Sequence, residues 1–349
     1  MVKLLEMQES LIDVFTGYAC TIPIFINKPE GKKWFIQNYL NYMITYDEKY
    51  DHVVSDYFYS DFTYNSAINF YQPENIVNFP YSCYSAPTSM ICNIIEFIKQ
   101  IINSGFYVCL YVNLKYLSKY CLKEDLIHEI FIYGYDDNQQ LIYSSGYMQR
   151  KKYSLYTHTY NEFVMSYEKR NVNSPMHIYF DTQRISYFKY KDNFEYNFEL
   201  SKFVDTLKEY LSISTDYKSI KRYICYTNEK SNEKITYGIE SIKVLIKYLQ
   251  NINEKQTIDL RQIYFLYNHK INMKFKMEYL MDIQYIMDKS ILENYQEIIH
   301  DSKICLNYCI KYTIKPKKEY IVKMILYLKE IYIKEKNVLL KVIELLEKS

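Results

Sequence analysis

Eight cysteines (20, 83, 92, 109, 121, 225, 305 and 309) and six histidines (52, 128, 158, 177, 269 and 300) are the residues of this chain best suited to covalent chemistry. A thiol and an imidazole in contact make a nucleophile: the ring takes the thiol proton and later returns it to the leaving group. A third group holds the ring in the right tautomer. The thiol needs a lowered pKa, commonly found at a helix N-terminus or beside a histidine. Cys20 fits best, because it follows Phe15-Thr-Gly-Tyr-Ala19 and because Thr21-Ile-Pro23 reads as the opening of a helix, where proline is tolerated. Cys83 is its rival, lying just before a helix expected from Thr88. Cys92, inside that helix, and Cys109, inside an apolar strand, read as core. Cys305 and Cys309, four apart on one helix face without a nearby His or Cys pair, also read as core rather than metal ligands.

His128 is the candidate base. It opens a strand after the polar Lys123-Glu-Asp125 and is followed by Ile130, Ile132 and Gly134-Tyr-Asp136. His158, His177 and His269 have no partner visible in sequence. Asp136 is a tempting orienting group, but it lies eight residues along the same strand, about 26 Å away at ~3.3 Å per residue. A group beside His128 must come from the end of the preceding strand, Asn113, or from the return strand at Ser144 and Ser145. No His-x-x-x-His pair and no glycine-rich phosphate loop is present, so neither a metal nor a nucleotide cofactor is expected.

Strands and helices must position these groups. Gly105 to Val112, Glu129 to Tyr133 and Leu141 to Ser145 read as strands, with the turn cluster Asp136-Asp-Asn-Gln-Gln140 between the last two. Met176–Phe180 and Ile185–Tyr190 read as two more. The first hundred residues look mainly helical, clearest at Trp34–Met43 and Ser89–Ile102. After about residue 196 the period becomes helical, with Leu200, Phe203, Val204, Leu207 and Leu211 on one face and further helices near 258–288, 290–313 and 318–347. The expected fold is α+β over residues 1–195, followed by an all-helical domain over 196–349.

Bulk composition narrows the partners. The 43 basic and 41 acidic residues nearly cancel, which gives no reason to expect nucleic acid or a membrane surface. The 43 tyrosines are spread along the whole length, so they read as core and interface rather than a base-stacking platform. Met1 to Phe15 has no uninterrupted apolar region, and no stretch reaches the ~18 apolar residues of a membrane span. A cytoplasmic protein with free thiols is the expectation.

The block Ile102-Asn-Ser-Gly-Phe-Tyr-Val-Cys-Leu-Tyr-Val-Asn113, Tyr116, His128-Glu-Ile-Phe-Ile-Tyr-Gly-Tyr-Asp-Asp137 and Ile142-Tyr-Ser-Ser-Gly-Tyr147 resembles the butirosin-biosynthesis acyltransferase-like family, related to the C39 papain-like peptidases. Phe15-Thr-Gly-Tyr-Ala-Cys20 is similar to that family's nucleophile motif, and Ile263–Lys270 extends the likeness into the helical tail. The resemblance implies a papain-like first domain. It also implies acyl transfer through a Cys20 thioester with His128 as base, and Asn113, Ser144 or Ser145 orienting the ring. The donor would be an acyl or peptidyl carrier protein, with phosphopantetheine only as carrier of the substrate, and the acceptor a small amine. Relatives form amides in thiotemplated biosynthesis of the closthioamide type. Asn113 stands where the family usually has Asp, and Ser144 where C39 peptidases have theirs. A C39-type peptidase and a catalytically degenerate binding or scaffold protein are the alternative readings.

Overall fold

Every residue of Tyr107–Asn113 is buried, which in an antiparallel strand means that both faces of the sheet are covered. The computed structural model describes residues 1–47, 49–50, 52–58, 79–147, 153–170, 183–212, 234–252 and 257–348. The fold is α+β with a helical C-terminal region, and the chain divides into two units. One is Met1–Gly31 with Asn69–Glu195; the other is Lys32–Ile68 with Tyr196–Ser349. Residues 32–68, expected in the first domain, therefore group with the second. Among the described residues, no helix is long and apolar enough to cross a membrane.

The first unit is built on a sheet of order β4-β9-β5-β6-β7-β8: β4 (Tyr81–Pro87), β9 (Arg184–Tyr190), β5 (Tyr107–Asn113), β6 (Ile127–Asp136), β7 (Leu141–Tyr147) and β8 (Tyr153–Thr159). β1 (Val2–Leu4) pairs with the far end of β6. All these pairings are antiparallel. Asp136 serves the β6–β7 turn by accepting from the amides of Asn138 and Gln139, 2.8 and 3.2 Å away. Gly134 is where β1 crosses: a Cβ there would meet Leu4 Cδ2 at 2.5 Å and the Lys3 carbonyl at 2.7 Å. One face of the sheet carries α3 (Ile94–Asn103) and α4 (Tyr160–Glu168). Ile98, Ile102 and Phe163 pack there on Val108, Leu110 and Ile130. The N-cap of α3 is Asn93, whose side chain accepts from the amides of Ile95 and Glu96; α4 starts with a Thr159/Glu162 capping box. The other face carries α1 (Thr16–Phe25), which packs on β7 and β9.

Among the described residues, the first hundred are not mainly helical. The helix expected over Trp34–Met43 stops at Asn38, and Asn41–Tyr46 is strand β2. Tyr42, Met43 and Ile44 are all buried, and such a run shows no period that separates strand from helix. The helix expected from Ser89 is a short 3-10 turn, Thr88–Met90, before α3, so Cys92 lies outside the helix and is exposed. The strand expected at Met176–Phe180 lies outside the described residues.

The second unit holds a three-stranded antiparallel sheet, β10 (Lys234–Tyr237), β2 and β3 (Val53–Phe58), so it is not all-helical. Its helices are α5 (Leu200–Tyr210), α6 (Ser241–Asn251), α7 (Leu260–Asp282), α8 (Ser290–Ile314) and α9 (Lys318–Leu346). α2 (Pro29–Asn38) leads into it. The buried polar face of α7 satisfies carbonyls near the end of α2. His269 Nε2–H donates to Leu40 O (2.9 Å), Asn272 Nδ2 to Tyr39 O (2.6 Å) and Lys276 Nζ to Phe35 O (3.1 Å).

Lys276 is fully buried with no ion-pair partner among the described residues, and burial pushes its pKa well below the ordinary lysine range. The unfolded chain therefore binds a proton that the folded one refuses, and stability should climb as pH rises toward about 10.4. Phe35 O also accepts from the Tyr39 amide at 3.0 Å and would stay satisfied without the lysine. Lys276→Met is expected to stabilise the protein by about 1–3 kcal/mol at neutral pH. It should also flatten the alkaline rise, as measured by urea unfolding from neutral to alkaline pH.

Candidate functional site

Cys20 sits in the second turn of α1, because the helix begins at Thr16 rather than after the cysteine. The thiol is therefore away from the free amides of a helix N-terminus that would lower its pKa. It is 1% exposed, and its Sγ contacts the Gly17 carbonyl at 3.6 Å. Burial, with the neighbouring Cys109 and Glu129, pushes the thiol well above the ordinary cysteine range. Cys20 is a protonated, enclosed thiol.

By strand alternation the His128 position faces away from α1. Its register partner on β5 is Val112, which belongs to the core under α3 and α4, as do Ile130 and Ile132. Strand alternation sends Glu129 the opposite way, toward Cys109, Cys20 and α1. The His128 ring donates Nδ1–H to the Glu129 carbonyl (3.0 Å), and Nδ1 stands 3.9 Å from the Glu129 carboxylate. Its side chain is 32% exposed, and no hydrogen bond joins it to Cys20. Glu129, which the sequence reading passed over, is the residue near both groups; its place directly after His128 was the available signal.

Two of the three candidate orienting groups, Asn113 and Ser145, are engaged by other partners. β5 and β6 are antiparallel neighbours, as placing Asn113 beside His128 required, but Asn113 pairs with Ile127. Its amide oxygen accepts from the amides of Lys115 (3.2 Å) and Leu126 (3.3 Å). Its amide nitrogen donates to Asp125 Oδ1 (3.1 Å) and Lys169 O (3.2 Å). Asn113 is thus a turn residue and does not hold the imidazole. Ser145 shares the α1 face and bonds Tyr153 OH at 2.8 Å. Ser144, paired with Ile132, shares the starting direction of His128, and its buried hydroxyl has no partner among the described residues. Strand alternation thus starts Ser145 toward the α1 face that holds Cys20 and starts Ser144 and His128 toward the opposite one, with the His128 ring reaching Glu129 and with Asn113 at the strand end. Cys83, the rival thiol, lies in β4 opposite Phe188 rather than before a helix.

A polar cluster that the sequence reading set aside surrounds Ser144. His158 is 1% exposed, and neither ring nitrogen has a partner among the described residues. Its ring stacks on Tyr120 at 6.1 Å and 22°, with Tyr156 at 6.4 Å. The Tyr120 hydroxyl, also without a protein partner, lies over Gly146, where a Cβ would meet it at 2.8 Å. Register places Ser144 opposite Tyr156 and Ile142 opposite His158. Burial lowers the His158 pKa to about 4, so the ring is neutral at physiological pH. No group of three or more His, Cys, Asp or Glu among the described residues is arranged to hold a metal. Compared with known proteins, the chain matches no family model and no curated protein.

Proposed function

We propose that the first unit is a catalytically silent relative of the papain-like acyltransferases, acting as a binding or scaffold partner for an acyl- or peptidyl-carrier protein in amide-forming biosynthesis. The observation that carries the silent reading is the enclosed, protonated Cys20 thiol, which makes no hydrogen bond to the His128 ring. A thiol nucleophile reacts as thiolate, and an enclosed, protonated thiol with no hydrogen bond to a base does not supply one. The carrier-protein partner rests on the resemblance around His128. A second reading, acyl transfer through Cys20, draws on Glu129, whose carboxylate lies near both the thiol and the imidazole.

The test is incubation with an acylated carrier protein, followed by intact-mass measurement and co-elution. The expected result is a complex with the carrier and no covalent adduct. In parallel, iodoacetamide should label Cys20 at least ~100-fold more slowly in the folded protein than in urea, because only the exposed thiolate reacts. An acyl adduct that forms on the wild type and vanishes in Cys20→Ala would establish the transferase reading instead.

A further inference from the structure

Helix α9 buries one side within its own unit, through Met324, Leu328, Ile331, Leu339 and Val342. On the opposite side Val322, Leu326, Ile333 and Leu340 are 49, 48, 58 and 41% exposed. At 3.6 residues per turn these four fall within about 20° of a single line, roughly opposite the buried face. Three of them recur every seventh residue, the spacing of a helix–helix seam. Aligned apolar side chains this exposed mark an interaction surface.

The charges beside the stripe say what covers it. Lys318, Lys329 and Lys336 run along one edge, about 40–60° from its centre, and Glu319, Glu330 and Asn337 along the other. Each lysine is sequence-adjacent to one of the second set, so the paired residues stand at almost the same height on opposite edges. Lys329, Lys336 and Glu330 make no ion pair among the described residues. A two-fold axis parallel to the helix brings the basic edge of one copy onto the acidic edge of the other, Lys329 beside the partner's Glu330. An antiparallel pair would instead set like edges together, Lys329 beside the partner's Lys336. We propose that the protein self-associates through α9, as a parallel two-fold pair with a second copy of the chain.

One helix face is a small interface, so the pair should form in the micromolar range. Sedimentation analysis of the full chain from ~1 to ~200 μM should show the 42.5 kDa monomer giving way to a species of twice that mass. Ile333→Glu should stay monomeric throughout. Lys329→Glu should weaken association about tenfold, and adding Glu330→Lys should restore it, because both edges then exchange sign together. All three positions are exposed, and matching circular-dichroism melts will confirm that the variants fold. A wild type that remains at 42.5 kDa overturns the proposal, as does an Ile333→Glu variant that pairs like the wild type. Tighter association in Lys329→Glu overturns the parallel arrangement.

Discussion

Glu335→Ala is expected to destabilise the protein by about 3–5 kcal/mol, because it leaves a buried ammonium without its counter-charge. Lys270 and Glu335 are both fully enclosed, with Nζ 2.6 Å from Oε2. The other two protons of Lys270 go to Tyr210 OH at 3.1 Å and His269 Nδ1 at 3.2 Å, and Tyr210 OH itself donates to Glu335 at 3.0 Å. One carboxylate thus ties α9 to α7 and α5. At a few degrees per kcal/mol, the thermal midpoint should fall by roughly 10 °C. The double variant Lys270→Met/Glu335→Leu should recover most of the loss, since exchanging both members of a buried pair for apolar residues is often neutral. Urea unfolding of the two variants measures the difference. A loss below about 1 kcal/mol in Glu335→Ala would show that the pair is not sealed from solvent.

His158 should make the first unit acid-sensitive. Its folded pKa of about 4 lies below the ordinary histidine value, so the unfolded chain binds a proton over a range where the folded one does not. Its contribution is therefore fully present above about pH 6.5 and is lost as pH falls through about 4, a change of roughly 3 kcal/mol. His158→Phe keeps the stacking surface against Tyr120 and Tyr156 and removes the titration. The variant should match the wild type near neutrality and hold its stability between about pH 6.5 and 4, as read by urea unfolding at stepped pH. Parallel acid loss in both proteins would assign the sensitivity to other groups.

Much of the architecture could be read from residue order. The strands at Gly105–Val112 and Leu141–Ser145, the turn at Asp136–Gln140 and the three long C-terminal helices follow from local periodicity and turn chemistry. These act within a few residues and are written in the chain. The start of α1 was less legible, because Phe15 at its N-cap makes no side-chain cap and Pro23 lies inside it, so the usual markers point to a later start. β2 was missed because its first four residues, Asn41 to Ile44, are all buried and carry no alternation. Its partners are β3, close in sequence, and β10, some two hundred residues away.

Residue order likewise determined that His128 and Glu129 must point to opposite faces of β6, since side chains alternate along any strand. It could not say which face α1 would cover. That was decided by packing between elements far apart in the chain, where α3 and α4 fill one side with isoleucine and phenylalanine and leave α1 the other. The same non-local packing set the surroundings of each candidate. It enclosed Cys20 over Cys109 and Glu129, and it drew Asn113 into the turn that meets α4. Alternation is a property of the strand alone; which helix covers each face depends on burying apolar surface across the whole unit, and that is settled only in three dimensions.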